Sequence, residues 1–291
     1  MKKSLVLLLL SSLVSGLYAR QPRTVVEPPF AFRNSGTLEI ERIELAPEST
    51  TVYIQAYFRP HNWIRISSET YIRTGAEGEK LTVRSADGMP LDTEFYMPET
   101  GRHDFSLSFP PVDPKTAKID LIESDCPDCF KIYDIDLTGK KAKPGRSALA
   151  KKYKKAAPLT ENFTAPVVSD SPARIAGAIT VYDPRFFDRI EIAFYSPIVG
   201  DGATELSVPV REDGSFETGL NILTPIRGML FLPGFVTLPF YAEPGRETAL
   251  EIDLGAVYRK TSVFKELHPQ TSPVAYYGEL GRVNEELARL Q

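Results

Sequence analysis

The sequence predicts a mainly β protein: two antiparallel β-sandwich domains joined by a basic linker, with a C-terminal α-helix. Three observations predict it. Apolar and polar residues alternate over many short stretches, 24 prolines and 19 glycines punctuate them, and helical spacing is confined to the end of the chain.

The chain opens on MKKSLVLLLLSSLVSGLYA, residues 1–19, with Lys2-Lys3, an apolar run from Leu5 to Val14 and small residues up to Ala19. Charge, length and order are those of a signal peptide, and the run is too short to anchor a protein across a bilayer. With no cysteine near the cut to carry a lipid, the expected location is periplasmic or secreted. Removing Lys2 and Lys3 from the 34 basic residues leaves 32 against 38 acids, a net charge of −6. That balance speaks against generic nucleic-acid binding. No later apolar stretch reaches membrane-spanning length.

The first β domain is placed at residues 25–139. In TVYIQAYF, Val52, Ile54, Ala56 and Phe58 share one face, and Tyr53, Gln55 and Tyr57 the other. Further strands are predicted at Leu38–Leu45, Trp63–Ile66, Leu81–Val83, Phe105–Phe109, Ile119–Ile122 and Phe130–Leu137, separated by Asp87-Gly88, Pro98–Gly101 and Pro110-Pro111. The alternation slips by one at Glu41-Arg42, which predicts a bulge.

Residues 140–160 form the linker, with eight Lys or Arg and no acid between Lys140 and Lys155. Its expected state is a solvated connection; a basic contact or a short packed helix are the alternatives.

A second β domain is placed at 161–258. Ile190, Ile192 and Phe194 alternate, and two strands flank Asp213-Gly214, which reads as a hairpin turn. Pro239 interrupts the Val236, Leu238, Phe240 alternation; lacking an N–H, it predicts an edge strand. After Pro244-Gly245 a last strand runs through Leu250, Ile252 and Leu254. In the tail, 272–290, Leu280, Val283, Leu287 and Leu290 fall at helical spacing, with Ser272 as N-cap and Pro273 at the first helical position.

The stretches RNSGTLEIERIELAPESTTVYIQAYFRPHNWIRI, YMPETG, FSLSFPP and AKIDLIESDCPDCFKIYDIDLTG resemble the leading β domain of exported thioredoxin-family proteins of Gram-negative anaerobes. The region with Asp213-Gly214-Ser215-Phe216 and Glu243-Pro244-Gly245 resembles the β-sandwich that often precedes their thioredoxin or peroxiredoxin domain. AYYGELGRVNEEL is similar to the bridging helix that leads into it. The resemblance implies a partner role toward a thioredoxin-like protein. The family's catalytic cysteines have no matching positions, because the sequence stops where that domain is expected.

The only cysteines, Cys126 and Cys129, stand in SDCPDCFKIY. Three readings are open. As a disulfide in an oxidising compartment they staple a turn between strands, a four-residue ring worth roughly 2 kcal/mol. As a redox pair they need a stabilised thiolate, yet Glu123, Asp125 and Asp128 surround them and a strand pattern follows. As half a metal site they need two more ligands, which His61, His103 and His268 do not supply by spacing. GDGATE, 200–205, reads as a tight turn, and Asn162-Phe163-Thr164 as a glycosylation triplet. No G-x-S-x-G, H-E-x-x-H or phosphate-binding glycine loop occurs.

Tyr53, Tyr57 and Trp63 are the candidate binding aromatics, with core packing, a partner interface and glycan stacking as competing roles. The leading functional reading is an exported, non-catalytic interaction or scaffold module, binding a thioredoxin-like protein or itself through the terminal helix. A thiol-disulfide oxidoreductase using Cys126 and Cys129, or a glycan-binding module, are the alternatives. No cofactor and no metal are expected.

Overall fold

A computed structural model describes residues 22–140, 149, 152–153, 168–196, 202–234, 236–267 and 272–290. The signal peptide, most of the linker, the Asn162–Thr164 triplet and His268 lie outside those residues.

In chain order the first half contains β1 (Arg23–Val26), β2 (Phe32–Arg33), β3 (Leu38–Leu45), β4 (Thr50–Tyr57), β5 (Trp63–Ile64) and β6 (Tyr71–Arg73). It continues with β7 (Leu81–Thr82), β8 (Ser85–Asp87), β9 (Phe95–Tyr96), β10 (Arg102–Phe109), β11 (Lys118–Ile122) and β12 (Lys131–Asp136). They form one sheet in the order β1-β3-β4-β10-β8, a second in the order β2-β12-β11-β6-β7, and a separate ribbon, β5-β9. Val52, Ile54, Phe105 and Leu107 of one sheet meet Ile72, Ile119, Leu121 and Ile135 of the other in a single core. The expected bulge is present, with the β3–β4 register shifting between Ile40 and Arg42. Phe58, expected on the Val52 face, lies beyond the end of β4 and is 40% exposed. The short strands β1, β2, β6, β8 and β9 carry too few residues for an alternation to show.

The second half contains β13 (Ala173–Thr180), β14 (Arg189–Tyr195), β15 (Ala203–Pro209), β16 (Ser215–Leu220), β17 (Ile226–Leu232), β18 (Val236–Ala242) and β19 (Glu247–Asp253). It ends with α1 (Leu254–Thr261), β20 (Val274–Tyr277) and α2 (Gly281–Arg289). The sheets are β16-β13-β19-β20 and β15-β14-β17-β18, with Pro239 in an edge strand as expected. Ile175, Ile192, Phe216, Leu230 and Phe240 fill the core between them.

Four expectations are corrected here. The sandwich is not wholly antiparallel, since β13 and β19 pair in parallel; such a pair needs a long crossover, which the opposite sheet supplies. Asp213-Gly214 does form a turn, with Gly214 at φ 79°, but it is no hairpin. It carries the chain from β15 in one sheet to β16 in the other, where β16 pairs with β13. The choice is made by packing: Phe216 lies over Gly177, where a Cβ would strike the ring, and the same device places Phe240 over Gly228. The third concerns Leu254, which opens α1 rather than ending a strand. Asp253 caps that helix, its Oδ1 accepting from Ala256 N at 2.9 Å, and Arg259 and Lys260 close it. Finally, Ser272-Pro273 does not start the terminal helix. Val274–Tyr277 is strand, anchored by Tyr276 Oη donating to Pro239 O at 2.5 Å, and α2 begins only at Gly281.

The two sheet pairs are not simply strung on the linker. The far face of the β2-β12-β11-β6-β7 sheet packs on the second half, where Phe32 stacks on Phe186 (5.2 Å) and meets Tyr258 edge-on (5.5 Å). Covered on both faces, β11 is buried from Ile119 through Ile122, whereas β12 keeps Lys131, Asp134 and Asp136 half-buried. Tyr153 of the linker also packs down: its hydroxyl donates to Glu247 Oε1 at 2.5 Å, and Leu149 N donates to Glu251 Oε2.

Candidate functional site

The sequence-predicted residues fall at three separate places. Cys126 and Cys129 form a disulfide in the loop between β11 and β12. No helix begins there, so neither sulfur sits at a positive helix end. The loop is fixed by its neighbours. Asn34 Nδ2 donates to Cys129 O at 2.8 Å while Asn34 Oδ1 accepts from Lys131 N at 2.7 Å. Asp125 accepts from Lys80 Nζ at 2.6 Å and from Tyr71 Oη at 2.9 Å. Those two bonds, Lys80 first, hold its carboxyl below the usual range. Burial, reinforced by the bond to Asp125, pushes the Tyr71 phenol up to about 12. Burial also raises Glu123. A polar cleft of about 400 Å³ opens beside the loop, between Ser68, Glu69, Tyr71, Lys80, Thr82 and the Ser124-Asp125 pair. Asp125, and Glu123 through its bond from Phe130 N, thus serve to position the loop.

Tyr53 and Tyr57 lie on the outer face of β4. Tyr53 Oη donates to Glu44 (3.1 Å) under the Arg42 guanidinium, 3.4 Å from the ring centre; Tyr57 Oη donates to Gln55 (2.7 Å). Trp63 is elsewhere, on the β5-β9 ribbon, 48% exposed and directly opposite Tyr96, 61% exposed. Core packing, the commonest fate of a lone tryptophan, is therefore not its role. Tyr96 was not legible as its partner, because a two-residue strand has no period to read.

A third place, invisible in the sequence, joins the two halves. Asp120, fully buried in β11, accepts from Arg73 Nε (3.2 Å), from Asp134 N (3.0 Å) and from Arg185 Nη1 across the junction (2.8 Å). Arg185 also pairs with Asp134 (3.2 Å) and Asp183 (2.9 Å), and its bonds to Asp183 lower that carboxyl. Two residues here, Asp134 and Val181, have positive φ, 56° and 60°; for a β-branched valine that is a strained conformation held by its surroundings. Nearby, Arg33 and Glu39, each 3% exposed, pair at 2.8 Å, and Glu39 also accepts from Ser262 Oγ and Val263 N beyond α1. Each buried charge has a partner, so the two sheet pairs are held in one register.

The terminal helix folds back on its own chain. Asn284 Oδ1 accepts from Tyr241 N (2.7 Å) and its Nδ2 donates to Tyr241 O (3.1 Å), covering the open edge of β18. The buried side of α2 therefore runs through Leu280, Gly281 and Asn284, whereas Val283 and Leu287 are half-buried and Leu290 is 83% exposed. Across the same strand, Pro239 lines a shallow trough of about 400 Å³ with Ala193, Tyr195, Ala203 and Met229.

Among the described residues, no group of three His, Cys, Asp or Glu side chains is placed to hold a metal ion, and no helix is long and apolar enough to cross a membrane. No family model matches the chain, and no curated protein matches it. Among solved structures it is similar to pullulanase type I from Bacillus subtilis str. 168 complexed with maltose. There the identity is 9% and the TM-score 0.24, over 66% of this chain and 23% of that one. Pullulanase from Anoxybacillus sp. LM18-11 complexed with maltotriose gives 9% and 0.24, over 66% and 24%. The chain thus spans about a quarter of those enzymes, and at these scores the likeness carries no argument.

Proposed function

We propose that the chain is an exported, non-catalytic interaction module whose docking surface is built around β18. The observation that carries this reading is the two-sided use of that strand. Asn284 satisfies its edge while Leu290 at the end of α2 stays exposed beside the half-buried Val283 and Leu287, and Pro239 lines an apolar trough on its face. Contiguous exposed apolar surface on a rigid protein is the usual mark of an association site. The junction charges supply the rigidity. The partner class in keeping with the resemblance is a thioredoxin-fold domain, with a second copy of the chain as the other candidate.

The test is a sedimentation series with the intact mature protein, alone and with a purified thioredoxin-fold domain from its own host. Association is expected in one of the two arms, and is weakened in Leu290→Ser, an exposed position, while the melting temperature is kept. A monomer at every concentration that leaves the added domain unbound defeats the reading.

A further inference from the structure

A different surface presents two exposed aromatic rings side by side. Trp63 and Tyr96 are cross-strand partners, so both rings project from one face of the β5-β9 ribbon, 48% and 61% exposed. The opposite face is anchored: Ile64 and Phe95 enter the core, Phe95 stacks on His103 at 4.1 Å, and the adjoining Met97 is 2% exposed. Backbone bonds from His61 N to Met97 O (3.1 Å) and from Met97 N to Asn62 O (2.9 Å) fix the two segments against each other. The rings are thus held still before anything binds, which removes most of the ordering cost of association.

Polar groups lie next to the pair in the chain, and each already has a hydrogen-bond partner. Glu94 accepts from Tyr96 Oη at 3.0 Å, Glu99 pairs with His61 Nε2 at 2.8 Å, and the Asn62 amide is tied to Pro60 O at 3.2 Å. With the carboxylates of Glu94 and Glu99 in it and no Lys or Arg among these contacts, the rim repels an anionic ligand. It offers hydrogen-bond acceptors and donors beside two flat apolar faces. The matching ligand has C–H faces and hydroxyl edges, and no charge. A peptide is a poorer match: strands two residues long give no edge for strand addition.

We infer that Trp63 and Tyr96 form a stacking platform for a neutral saccharide chain, with His61, Asn62, Glu94 and Glu99 as the hydroxyl-binding rim. This site lies apart from β18 and does not depend on the docking reading.

The chain has one tryptophan, so fluorescence excited at the red edge, where tyrosine does not absorb, reports on this site alone. The mature protein is titrated with hexasaccharides of β-1,4-glucan, α-1,4-glucan and α-1,6-mannan, and with polygalacturonate as the charged contrast. A saturable shift with at least one neutral oligosaccharide is expected, and none with polygalacturonate. Tyr96→Ala, exposed and therefore harmless to folding, weakens binding roughly tenfold, the worth of one aromatic contact, while Trp63→Phe followed by calorimetry retains it. No shift with any neutral oligosaccharide, a response confined to polygalacturonate, or unchanged affinity in Tyr96→Ala overturns the proposal. A shift on raising protein concentration alone assigns the rings to a contact between copies, which overturns it too.

Discussion

Arg185 reaches out of the second sheet pair to Asp120, wholly buried in the first, with Nη1 and Oδ2 2.8 Å apart. The contact turns two sandwiches into one body. Removing the guanidinium leaves Asp120 with Arg73 and one backbone donor. Breaking such a pair costs about 3 kcal/mol, the low end of the buried range because Arg185 keeps 21% exposure. Denaturant unfolding of Arg185→Ala is expected to show that loss and to split into two transitions. A single transition at the wild-type midpoint speaks against the lock.

Asp183 makes the same junction sensitive to acid. Its folded pKa is depressed by Arg185, so its contribution is fully present above the unfolded value and is lost as pH falls through the folded one. The window lies below about pH 4. Stability measured from pH 6 downward should fall more steeply in the wild type than in Asp183→Asn, and the difference should vanish in an Arg185→Ala background.

Opening the Cys126–Cys129 ring should change little. The ring closes four residues, and Asn34, Lys80 and Tyr71 hold the loop independently. Cys126→Ser/Cys129→Ser is expected to lose about 2 kcal/mol at most, read from thermal melts. The wild type is expected to give no turnover in an insulin-reduction assay; turnover that disappears in the double serine variant would favour the oxidoreductase alternative.

Asn284 gives α2 a role that can be read amide by amide. Asn284→Ala strips Tyr241 N of its acceptor, while Tyr241 O keeps the Thr248 hydroxyl, at a cost of about 1–3 kcal/mol. Hydrogen exchange should show the Tyr241 amide losing protection while the β14–β17 ladder keeps its own. Unchanged protection at Tyr241 would mean that the helix does not guard the edge.

Much of this architecture was legible from local signals. The alternation of Val52, Ile54 and Ala56, the slip at Glu41-Arg42, the proline at 239 and the turn glycine at 214 act within a few residues. Period and dihedral preference therefore expose them directly. The proximity of Cys126 and Cys129 is of the same kind.

Tertiary structure decided the remainder, because the energies involved come from residues far apart in sequence. Gly214 makes a turn whatever follows, but the fit of Phe216 over Gly177 sends β16 to the opposite sheet. Leu280, Val283, Leu287 and Leu290 define a helical stripe, yet the need of Tyr241 for hydrogen bonds rotates Asn284 inward beside Leu280, which leaves Val283 and Leu287 half-buried and Leu290 exposed. Trp63 reads as core by composition; the two-residue ribbon that faces it toward solvent beside Tyr96 exists only through its anchors, Ile64, Phe95 and Met97. Asp120 and Arg185, 65 residues apart, carry no mutual signal until folding removes the water between them.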